Sequence, residues 1–159
     1  MWEGGIRVPG LLEWPARIKR PVVTEVSACT SDIYPTIVDL LKIDVQDQVQ
    51  PLDGISLVPL LDGQMKERPS PIGFWQCNGG LSTDSGASAW NDNRYKLVKS
   101  APHKLELYDI TVDLSEQTDL AARHPEIVNR MKADLENWQQ SVLRSCRGED
   151  YKGKSSVQV

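Results

Sequence analysis

The residues able to do chemistry are few and widely spaced. Glu3 and Arg7 stand four apart in the run Trp2-Glu3-Gly4-Gly5-Ile6-Arg7-Val8-Pro9, close enough for an ion pair or a turn contact. Cys29, Cys77 and Cys146 form no CxxC pair and no cluster with histidine, which argues against a zinc site. Their odd number leaves at least one thiol free, and all three read as inert or partly buried residues. His103 falls on a loop between two predicted strands, where it either reaches a cleft or is simply solvated. His124 precedes Pro125 and reads as a helix-start residue. Asp53-Gly54 and Asp62-Gly63 carry oxygens suited to a hard cation, but no acidic partner is spaced to share an ion, so they read as turns. Trp75 and Trp90 flank a Gly/Ser-rich stretch and are suited either to stacking on a sugar or to filling the core of a small sheet.

The chain has 159 residues, enough for one ordinary domain or two small pieces. Forty per cent of them are apolar and five are tryptophan, so a core is affordable. Lys and Arg number 18 against 22 Asp and Glu, with no basic stripe, which speaks against nucleic acid as a partner. No apolar run approaches the ~20 residues of a membrane span, and no signal-peptide pattern opens the chain.

The elements that must position these residues follow from periodicity. Residues 1–30 read as a glycine turn followed by extended pieces, with Ile6-Arg7-Val8, Leu11-Leu12 and the Val22, Val23, Val26 set as short strands. A helix is predicted from about Asp32 to Lys42, with Ile33, Ile37, Leu40 and Leu41 on one face and Asp32 as its N-cap. A helical turn is expected in Ser56–Leu61, and residues 64–70 read as a linker. Four strands then follow at Ile72–Gln76, Ala87–Trp90, Tyr95–Lys99 and Leu105–Asp109, the middle two as a hairpin around Asn91-Asp92-Asn93. A helix from Pro125 to about Arg144 carries the stripe Ile127, Met131, Leu135, Trp138 and Val142.

Several segments, in order, resemble the sulfatases. These are Trp2-Glu3-Gly4-Gly5-x-Arg7-x-Pro9, Glu13-Trp14-Pro15 with Ile18, and Asp32-x-x-Pro35-Thr36 followed by Leu40-Leu41. Asp53-Gly54-x-Ser56-Leu57 with Pro59-Leu60-Leu61, Tyr95-Lys96-Leu97, and Glu106-Leu107-Tyr108-Asp109 with Thr118-Asp119-Leu120 and Pro125-Glu126 complete the set. The resemblance spans about residues 2 to 144. It implies an incomplete alkaline-phosphatase-like α/β fold followed by an α+β subdomain, a four-stranded antiparallel sheet with a long C-terminal helix. Residues 1–63 are then the end of the α/β domain, 64–147 the subdomain and 148–159 a tail.

The same resemblance implies hydrolysis of sulfate esters by a formylglycine, made from Cys or Ser in C/S-x-P-x-R, with calcium held by Asp and Asn oxygens. None of Cys29, Cys77 and Cys146 stands in that pattern. The formylglycine motif, the metal ligands and the sulfate-binding Lys are expected upstream of residue 1, so no catalytic or metal residue is assigned here. Glu3 and Arg7, soon after that Lys, are candidates to support the site, and His103 is a candidate for the cleft rim. The partner implied is a sulfated small molecule or glycan, and the compartment is exported, periplasmic or lysosomal. The chain by itself is expected to be inactive, with residues before 64 exposing apolar faces. The alternatives are a non-catalytic module that binds a sulfated glycan or protein, or a related phosphatase or phosphodiesterase.

Overall fold

The computed structural model describes residues 1–45, 51–76, 82–101 and 104–151. Its centre is a four-stranded antiparallel meander, β1 (Ile72–Trp75), β2 (Ser88–Asp92), β3 (Tyr95–Ala101) and β4 (Lys104–Asp109), in that spatial order. Each strand pairs with its neighbour in the chain, so the sheet is built from hairpins alone. Trp90 lies opposite Leu97, and Leu97 opposite Leu107, in the ladder. The β2–β3 turn uses Asn93 at φ 50°, a left-handed conformation that Asn tolerates better than most residues.

One face of this sheet carries the long helix α4 (Pro125–Cys146). Trp90, Leu97, Leu107, Met131 and Leu135 form the buried cluster between them, with Ile127 and Trp138 packed at its margin. Trp138 lies directly on Gly73, where an added Cβ would sit 2.6 Å from the indole. The predicted stripe is thus largely correct, but the buried row runs Met131, Leu135, Gln139 and Leu143. A polar Gln takes a core position, and Leu143 replaces the expected Val142. The opposite face presents Ala89, Val98 and Tyr108, packed with Ile110, Phe74 and Met1.

The first sixty residues differ from expectation. The predicted glycine turn is a single helical turn, α1 (Glu3–Ile6). Gly4 and Gly5 have open space where a Cβ would be, so neither glycine is demanded by a close approach. The predicted strands at Ile6–Val8, Leu11–Leu12 and Val22–Val26 are not strands. A strand needs a hydrogen-bonded neighbour, and among the described residues every ladder belongs to the meander. A 3₁₀ turn at Thr30–Asp32 leads into α2 (Ile33–Leu41), closed by Lys42 at φ 51°. The predicted face of α2 is exposed, with Ile33, Ile37 and Leu41 open to solvent and only Thr36 buried. The short helix α3 (Val58–Leu61) matches the turn expected there. The residues read as a linker contain Arg68, which is buried and pins this part of the chain.

Candidate functional site

Among the described residues, the sequence candidate that the fold places in a buried polar cluster is Glu3. Trp2 is extended, and its carbonyl accepts hydrogen bonds from the Gly5 and Ile6 amides. That turn aims Glu3 at the outer face of the sheet. Its carboxylate accepts from Lys96 Nζ at 2.8 Å, and its backbone N–H donates to Glu116 Oε2 at 2.6 Å. Lys96 Nζ also lies 2.8 Å from Glu116 Oε1. The Lys96 side chain is fully buried and the two carboxylates nearly so. Glu116 stands at φ 54°, uncommon for a residue with a side chain.

The surroundings of this cluster are aromatic and acidic. The Trp2 ring meets Tyr108 edge-on, with centroids 5.9 Å apart. Burial, with the nearby Glu106 charge, pushes the Tyr108 phenol well above its ordinary value. Trp2, Gly4, Leu114, Ser115 and Glu116 line an open depression of about 550 Å³ beside the cluster. Arg7 stays at the surface, 2.6 Å from Glu25 and 4.0 Å from Glu3. The Lys96 ammonium is shared by two carboxylates, so it is not presented to an anionic substrate. The arrangement holds the Glu3 backbone in place.

A second buried ion pair organises residues 27–68. Arg68 donates to Asp32 through both terminal nitrogens, at 2.7 and 2.8 Å, with both side chains out of solvent. The Asp32 carboxylate also accepts from the Cys29 and Ile55 amides, each at 2.8 Å. Burial pushes the Asp32 carboxyl up, but Arg68 and the two amides outweigh it, and the group stays below the usual carboxylate range. Asp32 is the N-cap residue of α2, as the sequence predicts, but its side chain makes no cap bond to that helix and ties together three segments instead. The strand turn is drawn in by Asn93, which donates to the Arg68 carbonyl and accepts from the Arg68 amide, both at 2.9 Å.

The other sequence candidates have structural partners. Asp62 is held by Arg17 at 2.6 and 2.7 Å, and Asp53 accepts from Trp138 Nε1 at 2.9 Å. Gly54 is required because a Cβ there would collide with the Ser31 carbonyl, and Gly63 because its φ is +71°. Trp90 is core, and Trp75 donates to the Ser85 carbonyl at 2.7 Å. Burial and the Asp32 charge push the Cys29 thiol up, away from the thiolate a nucleophile needs. Cys146 is exposed at the end of α4. His124 stands at the start of α4, 3.6 Å from Glu126. His103 and Cys77 lie outside the described residues. Among the described residues no group of three or more His, Cys, Asp and Glu is arranged to hold a metal ion, and no helix is long and apolar enough to cross a membrane.

The residues that sequence reasoning missed are Lys96, Arg68 and Glu116. Lys96 is one member of a strand motif, Arg68 stands in a polar linker, and Glu116 lies in a turn-rich passage. The only local signal was the alternation of β3, which puts Lys96 on the same face as Val98.

Known proteins match this chain along most of its length. The family model described as N-sulphoglucosamine sulphohydrolase, C-terminal, matches residues 1–141. Arylsulfatase K of Gallus gallus is 34% identical over 141 residues, which is 82% of this chain and 25% of the relative. Arylsulfatase D of Homo sapiens is 40% identical over 96 residues, covering 56% of this chain and 16% of the relative. The solved structure of yidJ from Bacteroides fragilis, named as a sulfatase, superposes with a TM-score of 0.62 at 17% identity, over 80% of this chain and 28% of that one. The chain therefore spans a quarter or less of the length of these curated relatives. The match over residues 1–141 shows that the chain belongs to the sulfatases, in the family of the N-sulphoglucosamine sulphohydrolase C-terminal region.

Proposed function

We propose that residues 1–159 form the closing part of an enzyme that hydrolyses sulfate esters, with the bond-breaking groups supplied by the remaining length that its relatives possess. The observation that carries the sulfatase part of this reading is the family match over residues 1–141; what supports a larger enzyme is the distribution of exposed large apolar side chains. Trp2, Val8, Leu11, Leu12, Val22, Val23, Ile33, Tyr34, Ile37, Leu41, Ile43 and Leu52 are all exposed, whereas after residue 63 only Val112 and Leu114 join them among the described residues. A surface of that kind marks a missing packing partner. Residues 1–63 are then the edge of a larger α/β domain, residues 64–147 are the subdomain, and residues 148–159 are its tail.

None of Cys29, Cys77 and Cys146 stands in C/S-x-P-x-R, and among the described residues no group of three or more His, Cys, Asp and Glu is arranged to hold a metal ion, so no step of the reaction is proposed for this chain. Its contribution is to place: Glu3 holds the Trp2–Ile6 turn against the sheet. The substrate class is a sulfated small molecule or sulfated glycan, supported by the arylsulfatase and sulphoglucosamine names of the relatives.

The longest reading frame containing residues 1–159 tests the proposal. Expressed with a formylglycine-generating enzyme and calcium, it should release sulfate from an aryl sulfate, while residues 1–159 alone should release none. A frame that lacks C/S-x-P-x-R and shows no turnover would favour a non-catalytic module. Turnover of a phosphate ester but not a sulfate ester would favour a phosphatase.

A further inference from the structure

We propose that the outer face of α2, with the extended stretches at residues 8–13 and 19–26, forms one preformed assembly interface. Its occupant is the remaining length of the sulfatase, and the two can associate even as separate chains; this rests on the sulfatase reading above. The helix α2 is amphipathic in reverse. Its one buried residue is Thr36, a polar one. Thr36 Oγ1 donates to the Asp32 carbonyl at 2.6 Å and accepts from the Leu57 amide at 2.9 Å. Asp39, on the same side, accepts from Ser56 Oγ at 2.6 Å. The polar side of the helix is therefore the side tied to its own chain. Ile33, Ile37 and Leu41 form a row along the helix that is open to solvent. A surface helix that belongs wholly to its own domain does the opposite.

The polar ties make the apolar row a fixed surface. The buried Asp32–Arg68 pair sits at the start of α2, and the Ile55 amide donates to the same carboxylate. The meander and α4 close their own core, with Leu97, Leu107, Met131 and Leu135 buried, so the interface is carried by a unit whose core is complete without the partner. Beside the row, Tyr34, Pro35, Val38, Ile43 and Leu52 line an open groove of about 440 Å³. Asp39 and Lys42 at its rim neutralise each other at 2.7 Å. The surface that fits here is therefore apolar and uncharged. The extended stretches make a second demand. Among the described residues, no backbone–backbone hydrogen bond joins residues 8–13 or 19–26 to the rest of the chain. Leu11 and Val23 are 100% and 91% exposed. Open extended backbone of this kind pairs with a sheet edge. Lipid offers no such donors and acceptors, and a helix uses its own internally. The partner thus presents both an apolar face and a sheet edge, as a layered α/β unit does. The curated relatives have the length for one, since this chain spans a quarter or less of them.

The test compares residues 1–159 alone with the longest reading frame that contains them. In that frame, the amides of Leu11, Leu12, Val22 and Val23 should exchange about a hundredfold or more slower than in residues 1–159. Co-expressed as two chains, residues 1–159 and the rest of the frame should co-purify in equal amounts. Ile37→Asp should leave the urea midpoint of residues 1–159 unchanged, because that side chain is exposed. The same change should cut co-purification about tenfold or more, because docking would bury a lone charge. Equal exchange in the two proteins overturns the interface, as does co-purification indifferent to Ile37→Asp. Slowed exchange without co-purification overturns association between separate chains. A dimer of residues 1–159 that Ile37→Asp dissociates makes a second copy the occupant and overturns the one named. A frame no longer than this chain overturns it too. Slowed exchange without sulfate release refutes the sulfatase reading and leaves the interface standing, and sulfate release with unchanged exchange does the reverse.

Discussion

Replacing Arg68 with Met removes one partner of the buried Asp32–Arg68 pair. The Asp32 side chain has no solvent exposure and Arg68 has 2%, so neither charge has water to fall back on. After the change, the carboxylate keeps only the Cys29 and Ile55 amides. Breaking a buried pair by deleting one partner costs about 3–5 kcal/mol, against a total of about 5–15 kcal/mol for a domain. The reverse variant, Asp32→Ala, strands the guanidinium and both amides and should cost at least as much. Removing both charges together should be milder than the sum of the single changes by about 1–3 kcal/mol, because no lone charge remains. Urea titration of the four proteins at pH 7, followed by tryptophan fluorescence, measures these terms. The pH dependence has a definite sign. Asp32 has a lowered value when folded, so its contribution is present above the unfolded carboxyl range of about 4 and is lost as pH falls through the folded value. Asp109 behaves alike: burial pushes its carboxyl up, but hydrogen bonds from Thr111 and Arg94 outweigh it and hold it low. Arg68→Met should flatten the acid limb of the stability curve without abolishing it, since Asp109 remains. A loss under about 1 kcal/mol for Arg68→Met, or strict additivity in the double variant, would refute the coupling.

Other changes read different parts of the structure. Gly54→Ala places a methyl against the Ser31 carbonyl and should cost about 1–3 kcal/mol in thermal unfolding, whereas Gly4→Ala meets open space and should not. Leu135→Ala, at the centre of the sheet–helix core, should cost about 2–5 kcal/mol by urea titration with little change in slope. Ile37→Ser, on the exposed face of α2, should change stability by less than about 0.5 kcal/mol and should raise solubility as measured by light scattering.

Residues 72–146 were largely legible in the sequence because their order is written in local patterns. Leu105-Glu106-Leu107-Tyr108-Asp109 alternates, Asn93 supplies a turn conformation, and the stripe on α4 repeats at helical spacing over about four turns. Residues 1–62 were legible only where a pattern was strong, as in α2. Val22 and Val23 have strand propensity but no neighbour here to pair with, and propensity without a ladder does not make a strand. The polar clusters were the least legible. Arg68 and Asp32 lie 36 positions apart, and Lys96 and Glu3 lie 93 apart. A charged residue in a linker or on a strand looks solvated until the fold shows what covers it. Glu3 stood out through its motif, but its partners could be found only in three dimensions.

The meander has a consequence for the order in which the molecule assembles. Its strands join only their chain neighbours, so the hairpins close short loops and form early. The bond from Glu3 to Glu116 closes a loop of 113 residues and carries a larger entropic penalty. During synthesis, the opening turn must wait until Glu116 has left the ribosome before it can be seated. The sheet can therefore exist with its outer face still uncovered, leaving Val98 and Tyr108 open to misassociation. That interval ends when Glu3 docks.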